Sequence, residues 1–184
     1  DAVVIIDHCE VEDKTAIITE NVLTPLAKLR GRIPVYGSSR NRIGKFNGFY
    51  CIVPNENELV RVAGKYHPRT FEEEIPNAVL FEAAETLYER LKPDYMVITR
   101  GKKGATIVQG RNIKSVPTKP LEGDIDSCGC GDTFLATLVL AEISGASREQ
   151  AVRLANIAAG TTAKKLGTTG APTIKELEDA LKEP

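Results

Sequence analysis

Short apolar runs rich in β-branched residues alternate along this chain with segments whose apolar positions recur every three to four residues. The first pattern suits strands buried on both faces, and the second suits the helices that cover them. Their alternation predicts an α/β fold with a mostly parallel sheet. Strands are expected at Val3–Ile6, Ile33–Tyr36, Phe49–Val53, Tyr95–Thr99, Ala105–Val108 and Ile113–Val116. A first helix falls around Glu20–Leu29, where Pro25 either starts or interrupts it. A long amphipathic helix spans Asn77–Leu91 and stops before Pro93. Another covers about Thr133–Ser144 and ends at Gly145. Ser147 and Gln150 are spaced as a capping box for the next, which runs to about Leu166, and Thr173 and Glu176 repeat the box for a last helix to Leu181. Arg100–Gly104 reads as a tight hairpin turn, the one antiparallel element. Neither repeats nor a low-complexity linker interrupt the pattern, so residues 1–184 read as one domain.

Composition narrows the function classes. With 184 residues, 42% apolar, the chain is long enough for one core of ordinary size. A net charge of -1 with 27% charged residues argues against a nucleic-acid partner. No apolar run approaches the ~20 residues of a membrane span, and the N-terminus has no signal-peptide pattern. The cysteines at 9, 51, 128 and 130 show no disulfide framework, and neither His8 nor His67 completes a zinc pattern, so both histidines are assigned to structure or surface. A reducing cytoplasm fits this usage. The chain opens on Ala2–Ile6, which reads as a core strand, so it is expected to be a piece of a longer protein.

The strongest chemical signal is Asp126-Ser127-Cys128-Gly129-Cys130-Gly131-Asp132-Thr133-Phe134, followed by apolar Leu135, Leu138, Val139 and Ile143. Two glycines among small residues, then an aspartate and an apolar run, describe a tight loop feeding a helix. The first N–H groups of a helix lack partners within it and can hold an anion, which glycine lets approach closely. A carboxylate there is favoured in its ionised form by roughly 0.3–1 kcal/mol through the helix dipole. An anion cradle beside a general base suits phosphoryl transfer to a hydroxyl, although a capped turn would use the same residues. Phe134 stands where a dinucleotide fingerprint needs its third glycine, and no Walker loop occurs in the chain.

This run resembles the D-T-x-G-A-G-D-x-F signature of the PfkB/ribokinase family of carbohydrate kinases. Four further stretches agree in order: Val53-Pro54-Asn55-Glu56-Asn57-Glu58 with P-N-x-x-E, Ile98–Gly104 with T-x-G-x-x-G, Asn156–Gly160 with N-x-A-A, and Lys165–Thr168 ahead of the terminal helix. Within the family the wording is most similar to bacterial kinases of heptose phosphates and related sugars, chiefly through Ser39–Phe46, with Ala155–Gly160 and Leu166–Thr168 in support. The resemblance implies a ribokinase-like three-layer αβα sandwich with a mostly parallel sheet. It also implies that the N-terminal part and the lid, which carry the sugar-recognition motif, are missing. The activity implied is that of an ATP-dependent carbohydrate kinase, a cytoplasmic phosphotransferase that moves the γ-phosphoryl of MgATP to a hydroxyl of a small-molecule sugar or sugar phosphate. Many relatives dimerise through the lid, which leaves a homodimer open. The rival expectation is a nucleotide-binding fragment or regulatory module that kept the fold without catalysis.

Residue by residue, the resemblance makes Asp132 the catalytic base and the N–H groups of Gly129, Cys130 and Gly131 the anion hole. Cys130 replaces the usual Ala and brings a sensitivity to oxidation. Thr99, Gly101 and Gly104 are similar to nucleotide contacts, and Asn156 to a residue lining the adenine pocket. Asn55 and Glu58 look like the pair that organises Mg2+, while a plain turn with Glu58 on a helix start stays open for them. Asp126 resembles a ligand of a monovalent cation, with capping of the loop backbone as its other role. Lys102 and Lys103 read as an exposed tip. Arg40, Arg42 and Lys45 suit either a phosphorylated acceptor or a solvated loop. Two departures fall on the catalytic side: Ser38 stands where an acidic residue is common, and Asp7-His8-Cys9-Glu10 replaces a D-Y-G-K-G-like segment.

Overall fold

Six strands form one sheet, and their order across the sheet is their order along the chain. β1 (Val3–Asp7), β2 (Val35–Ser39), β3 (Cys51–Ile52) and β4 (Tyr95–Thr99) pair in parallel, with Val3 opposite Val35, Tyr36 opposite Cys51, and Cys51 opposite Tyr95. β5 (Ala105–Gln109) and β6 (Asn112–Val116) complete it. The computed structural model describes residues 1–9, 17–66 and 73–182; Glu10 and His67 lie outside these. Contacts divide the chain into two units, one of Asp1–Arg100 with Thr106–Lys114, the other of Gly101–Ala105 with Ser115–Pro184.

Link length sets strand direction at the end of the sheet. Five residues join β4 to β5 and two join β5 to β6. Parallel neighbours need a crossover of a dozen residues or more, so both links make antiparallel pairs. The hairpin at Gly110-Arg111 was not anticipated. The expected tight turn at Arg100–Gly104 is instead a short 3-10 turn, Gly101–Lys103, closed by the Gly104 N–H donating to Gly101 O at 2.9 Å.

In the first unit, α1 (Glu20–Ala27) keeps Pro25 inside its last turn and ends two residues short of expectation. α2 (Glu56–Val62) is too short to show periodicity, and only its start was foreseen. α3 (Asn77–Leu91) has the expected bounds; Lys92 takes a left-handed φ of 50°, and Pro93 follows. α3 turns Leu80, Ala83, Ala84, Leu87 and Leu91 into a core shared with Ile52, Leu59, Val60, Met96 and Ile98. Phe46 and Phe49 stack at 4.8 Å in the same core.

The second unit is helical. α4 (Cys130–Ile143) begins three residues earlier than expected, so Cys130, Gly131 and Asp132 are its first turn rather than its approach. α5 (Arg148–Ala163) starts from the foreseen Ser147–Gln150 box and ends three residues short of Leu166. α4 and α5 bury Leu135, Leu138, Ala151, Val152, Ala155 and Ala158, and Thr162 Oγ1 lies 3.1 Å from Thr133 Oγ1. α6 (Ile174–Lys182) has its capping box, with the Thr173 N–H donating to Glu176 at 2.6 Å and the Glu176 N–H to Thr173 Oγ1 at 3.2 Å. Lys165 donates to the same carboxylate, and these bonds hold Glu176 down to about 2.

The ends of β1 and β2 carry a buried ionic network. Arg42 donates from Nε to Asp7 Oδ2 at 2.9 Å and from a terminal nitrogen to Oδ1 at 2.6 Å. Ser39 Oγ donates to Oδ2 at 2.9 Å, and the Cys9 N–H to Oδ1 at 3.2 Å. Arg42 is therefore not a solvated loop cation, and its fork is engaged by Asp7 rather than open to an acceptor. Burial raises the Asp7 carboxyl, but the bonds from Arg42, Ser39 and Cys9 outweigh it and hold it below the usual carboxylate value. A depressed carboxyl contributes stability that is present above its unfolded value of 3.8 and is lost as pH falls through the lower folded value. Asp7→Asn would remove the carboxylate that faces buried Arg42, and should cost about 3–5 kcal/mol in urea unfolding near pH 7. The loss should begin to shrink below pH 3.8, where the carboxyl of the unfolded chain protonates, and vanish as pH falls through the lower folded value.

Candidate functional site

In open α/β sheets ligands bind beyond the carboxyl ends of the strands. At that edge in the first unit stand Asp7, Ser39, Asn55 and Thr99. Asn55 forms an isolated parallel bridge with Thr99, whose N–H donates to Pro54 O at 3.0 Å. Asn55 also caps α2: its Oδ1 accepts the Glu58 N–H at 2.8 Å, and Glu58 Oε2 accepts the Asn55 N–H at 2.9 Å. This is the helix-start geometry, and it leaves Glu58 Oε1 outside the box. Burial pushes the Glu58 carboxyl up, only partly countered by the Asn55 N–H and the charges of Arg61 and Arg40. A half-buried carboxylate with an oxygen to spare fits a cation that keeps most of its own water, as Mg2+ does. Among the described residues no group of three or more His, Cys, Asp or Glu is placed to hold a metal.

Arg100 has a role that sequence reasoning missed. Its Nε donates to Glu56 at 2.6 Å and a terminal nitrogen to Asn77 Oδ1 at 2.7 Å. It therefore ties the start of α2 to the start of α3, directly after Thr99. With Glu56 and Arg100 44 positions apart, no sequence pattern could pair them.

In the second unit, the glycine run closes around Asp126. Asp126 Oδ1 accepts the Cys128 N–H at 2.9 Å and Oδ2 the Gly167 N–H at 3.0 Å, while its own N–H donates to Ala163 O. Both carboxylate oxygens thus hold loop backbone, which is the second of the two roles weighed for it. Gly129 precedes α4 with φ of 76°, a conformation that a side chain disfavours. The Cys130 N–H donates to Ser127 O at 3.2 Å, so this member of the expected anion hole closes a turn here. Gly131 faces open space, for a Cβ there would meet nothing within 4 Å. Asp132 is exposed on the same first turn.

All four cysteines are free thiols. Burial, then Asp126 and Cys128, push the Cys130 thiol up, away from the reactive thiolate. The expected sensitivity of Cys130 to oxidation is therefore not supported by its surroundings. Iodoacetamide near neutral pH should label exposed Cys128 about tenfold faster than Cys130, as peptide mass mapping would read.

A cavity of about 520 Å3 opens in the same unit, lined by Pro117, Thr118, Lys119, Asn156, Gly160 and Lys164 among others. Its size is that of a small-ligand pocket. Asn156 is 8% exposed, and its Nδ2 donates to Val116 O at 3.0 Å, fixing the strand end that leads into the lining. Gly104 lies against that chain with φ of 83°; a Cβ there would sit 2.3 Å from Val116 O and 2.7 Å from Thr118 N. Gly101, φ of 53°, has open space instead. So Gly104 and Asn156 both hold the Val116–Thr118 segment that forms part of the cavity wall. Among the described residues no helix is long and apolar enough to cross a membrane.

A family model described as pfkB family carbohydrate kinase matches residues 43–175. The chain is 32% identical over 181 residues to the bifunctional protein HldE of Gluconacetobacter diazotrophicus, covering 97% of this chain and 35% of that protein. It is 37% identical over 138 residues to HldE of Histophilus somni, covering 74% and 27%. The chain thus spans about a quarter to a third of the length of these curated relatives. Among solved structures, ribokinase from Thermotoga maritima superposes with a TM-score of 0.76 at 23% identity, over 100% of this chain and 57% of that one. Ribokinase from Arabidopsis thaliana, complexed with ribose and ATP, superposes with a TM-score of 0.71 at 25% identity, over 89% and 51%. The fold is ribokinase-like.

Proposed function

The chain belongs to the pfkB family of carbohydrate kinases, and we propose that it serves an ATP-dependent kinase that phosphorylates a hydroxyl of a sugar or sugar phosphate. The observation that carries this reading is an exposed carboxylate, Asp132, on the first turn of a helix whose second residue, Gly131, faces open space. In this role Asp132 takes the proton of the acceptor hydroxyl as its oxygen bonds the γ-phosphorus and the bond to the β-phosphate oxygen breaks. The N–H groups at Gly129–Gly131 hold the oxygens of the transferring group; the Cys130 N–H must leave Ser127 O to join them. The cavity beside Asn156 takes the adenine, and Thr99, Gly101 and Gly104 are assigned to the nucleotide by their motif. Asn55 and Glu58 would hold Mg2+, which when bound neutralises phosphate charge. Asp126 keeps a second role as ligand of a monovalent cation. The acceptor class is a heptose phosphate or a related sugar phosphate, following the wording of Ser39–Phe46.

One observation favours a module that binds nucleotide without catalysis. Ser38 provides no carboxylate at the end of β2, and the neighbouring Asp7 is engaged by Arg42. Calorimetric titration of the chain with ADP and MgATP tests the shared part of both readings. Saturable binding that weakens at least tenfold in Gly131→Val is expected, because that side chain would project into the space the phosphates need without touching the core. A folded chain that binds neither nucleotide would overturn both. An assay over sugar phosphates then separates them, since the module would bind nucleotide with no acceptor-dependent turnover.

A further inference from the structure

The first unit has a basin of about 440 Å3 that lies outside the residues assigned to nucleotide, metal and base. It is lined by Asn41, Arg42, Gly44, Lys45, Arg61, Val62 and Arg90. No Asp or Glu is among these residues, and four of the seven are cationic. Arg42, at 5% exposure, is neutralised by Asp7 beneath it. Arg61 donates to Arg40 O, and Arg90 to Val62 O at 3.2 Å. Those carbonyl oxygens orient the two guanidiniums but carry no formal charge. Each guanidinium has five N–H donors in a planar fork, so donors remain on both.

The basin is also shaped by its glycine. A Cβ at Gly44 would lie 2.8 Å from Val62 and 2.9 Å from the Arg90 guanidinium. Only a bare Cα lets that guanidinium close on the loop that carries Lys45. The site lies at the far end of α2 from Asn55, since six residues of helix separate Asn55 from Arg61, about 9 Å of rise. It is distinct from the Asn55 cap, while Glu58, three residues before Arg61 on the same helix, feels the Arg61 charge.

We infer that this basin binds a phosphate dianion, as inorganic phosphate or as the phosphate group of a small metabolite, through Lys45, Arg61 and Arg90. Converging cations with fork geometry recognise tetrahedral oxyanions by charge-assisted hydrogen bonds. The volume exceeds a bare phosphate, which leaves room for the body of a small phosphorylated molecule. The inference does not rest on the kinase reading.

Its test is calorimetric titration of the chain with inorganic phosphate, at constant ionic strength set with chloride. One saturable site is expected, with Kd rising about tenfold in Lys45→Gln and again in Arg61→Gln, and little changed in Gly131→Val. Arg61 is exposed at a helix end and Lys45 is the partly exposed last residue of a 3-10 turn, Ile43–Lys45, so neither side chain belongs to the core; circular dichroism checks the fold of each. Arg90→Lys keeps the charge but not the fork, and should weaken binding less than Arg90→Gln. Repeating the titration with ribose 5-phosphate distinguishes the two sources: tighter binding identifies a phosphorylated metabolite, and equal binding identifies free phosphate. Phosphate binding lost in Gly131→Val yet intact in the basin variants would overturn the inference in favour of the glycine loop. So would non-saturating heat that chloride screens, or no binding at all.

Discussion

Asp132→Asn should abolish most phosphoryl transfer while leaving nucleotide affinity nearly intact. A positioned base contributes typically ~10²–10⁴-fold, so acceptor-dependent turnover should fall by that factor. The side chain is exposed and on the first turn of α4, away from the buried Leu135 and Leu138 face. Its replacement therefore leaves that buried face intact and removes a helix-terminus charge interaction of about 0.3–1 kcal/mol. The pairing of readouts matters. A steady-state assay with the best sugar phosphate should show kcat collapsing, and calorimetry with ADP should give a Kd close to that of the unaltered chain. Turnover retained within a few-fold would remove Asp132 from the role of base. Loss of ADP binding together with turnover would instead mark it as a phosphate-loop residue.

Gly104→Ala should damage the cavity proposed for the nucleotide and the stability of the chain together. The new methyl would meet backbone, not a flexible side chain: Val116 O at 2.3 Å, Thr118 N at 2.7 Å and the Pro117 carbonyl carbon at 2.8 Å. The left-handed φ of 83° adds its own strain. Left-handed strain and overpacking together come to about 2–5 kcal/mol. Pro117 and Thr118 line the cavity, so backbone displacement there should also weaken ADP binding. Gly101→Ala is the internal control. Its φ of 53° is also left-handed, but no atom stands within 4 Å of the added carbon, and the cost should stay near the strain alone, about 1–2 kcal/mol. Equal urea midpoints for the two variants would show that the wall at Val116–Thr118 yields, and that Gly104 is not what shapes it.

The existence of the parallel strands and the bounds of α3 were legible because each depends on local information, although β2 lies at Val35–Ser39 rather than Ile33–Tyr36 and β3 narrows from Phe49–Val53 to Cys51–Ile52. Tyr95–Thr99 is a continuous apolar run, and Asn77–Leu91 repeats its apolar face until Pro93 forbids another turn. Capping boxes at Ser147 and Thr173 are likewise local, since donor and acceptor lie three residues apart. Both strands of the hairpin at Gly110-Arg111 were legible but their antiparallel pairing was not, because Gly-Arg is a weaker turn signal than Asn-Gly or Asp-Gly. The early start of α4 escaped notice because Gly131 argues against helix by propensity, yet a first turn tolerates glycine where its N–H groups need no intrahelical partner.

By itself, the sequence determined the class of fold, the ordered motifs of a carbohydrate kinase and the residues on which a phosphoryl-transfer reading depends. Hydrophobic period, turn chemistry and motif spacing are all properties of neighbours along the chain. Tertiary structure alone decided how those residues are engaged. It joined Asp7 to Arg42 across 35 residues and Glu56 to Arg100 across 44. It turned both oxygens of Asp126 onto the loop backbone and gathered Lys45, Arg61 and Arg90 around a glycine. A charge has no address in sequence until burial and a partner give it one, because the energy that selects its partner arises only when distant segments leave water together.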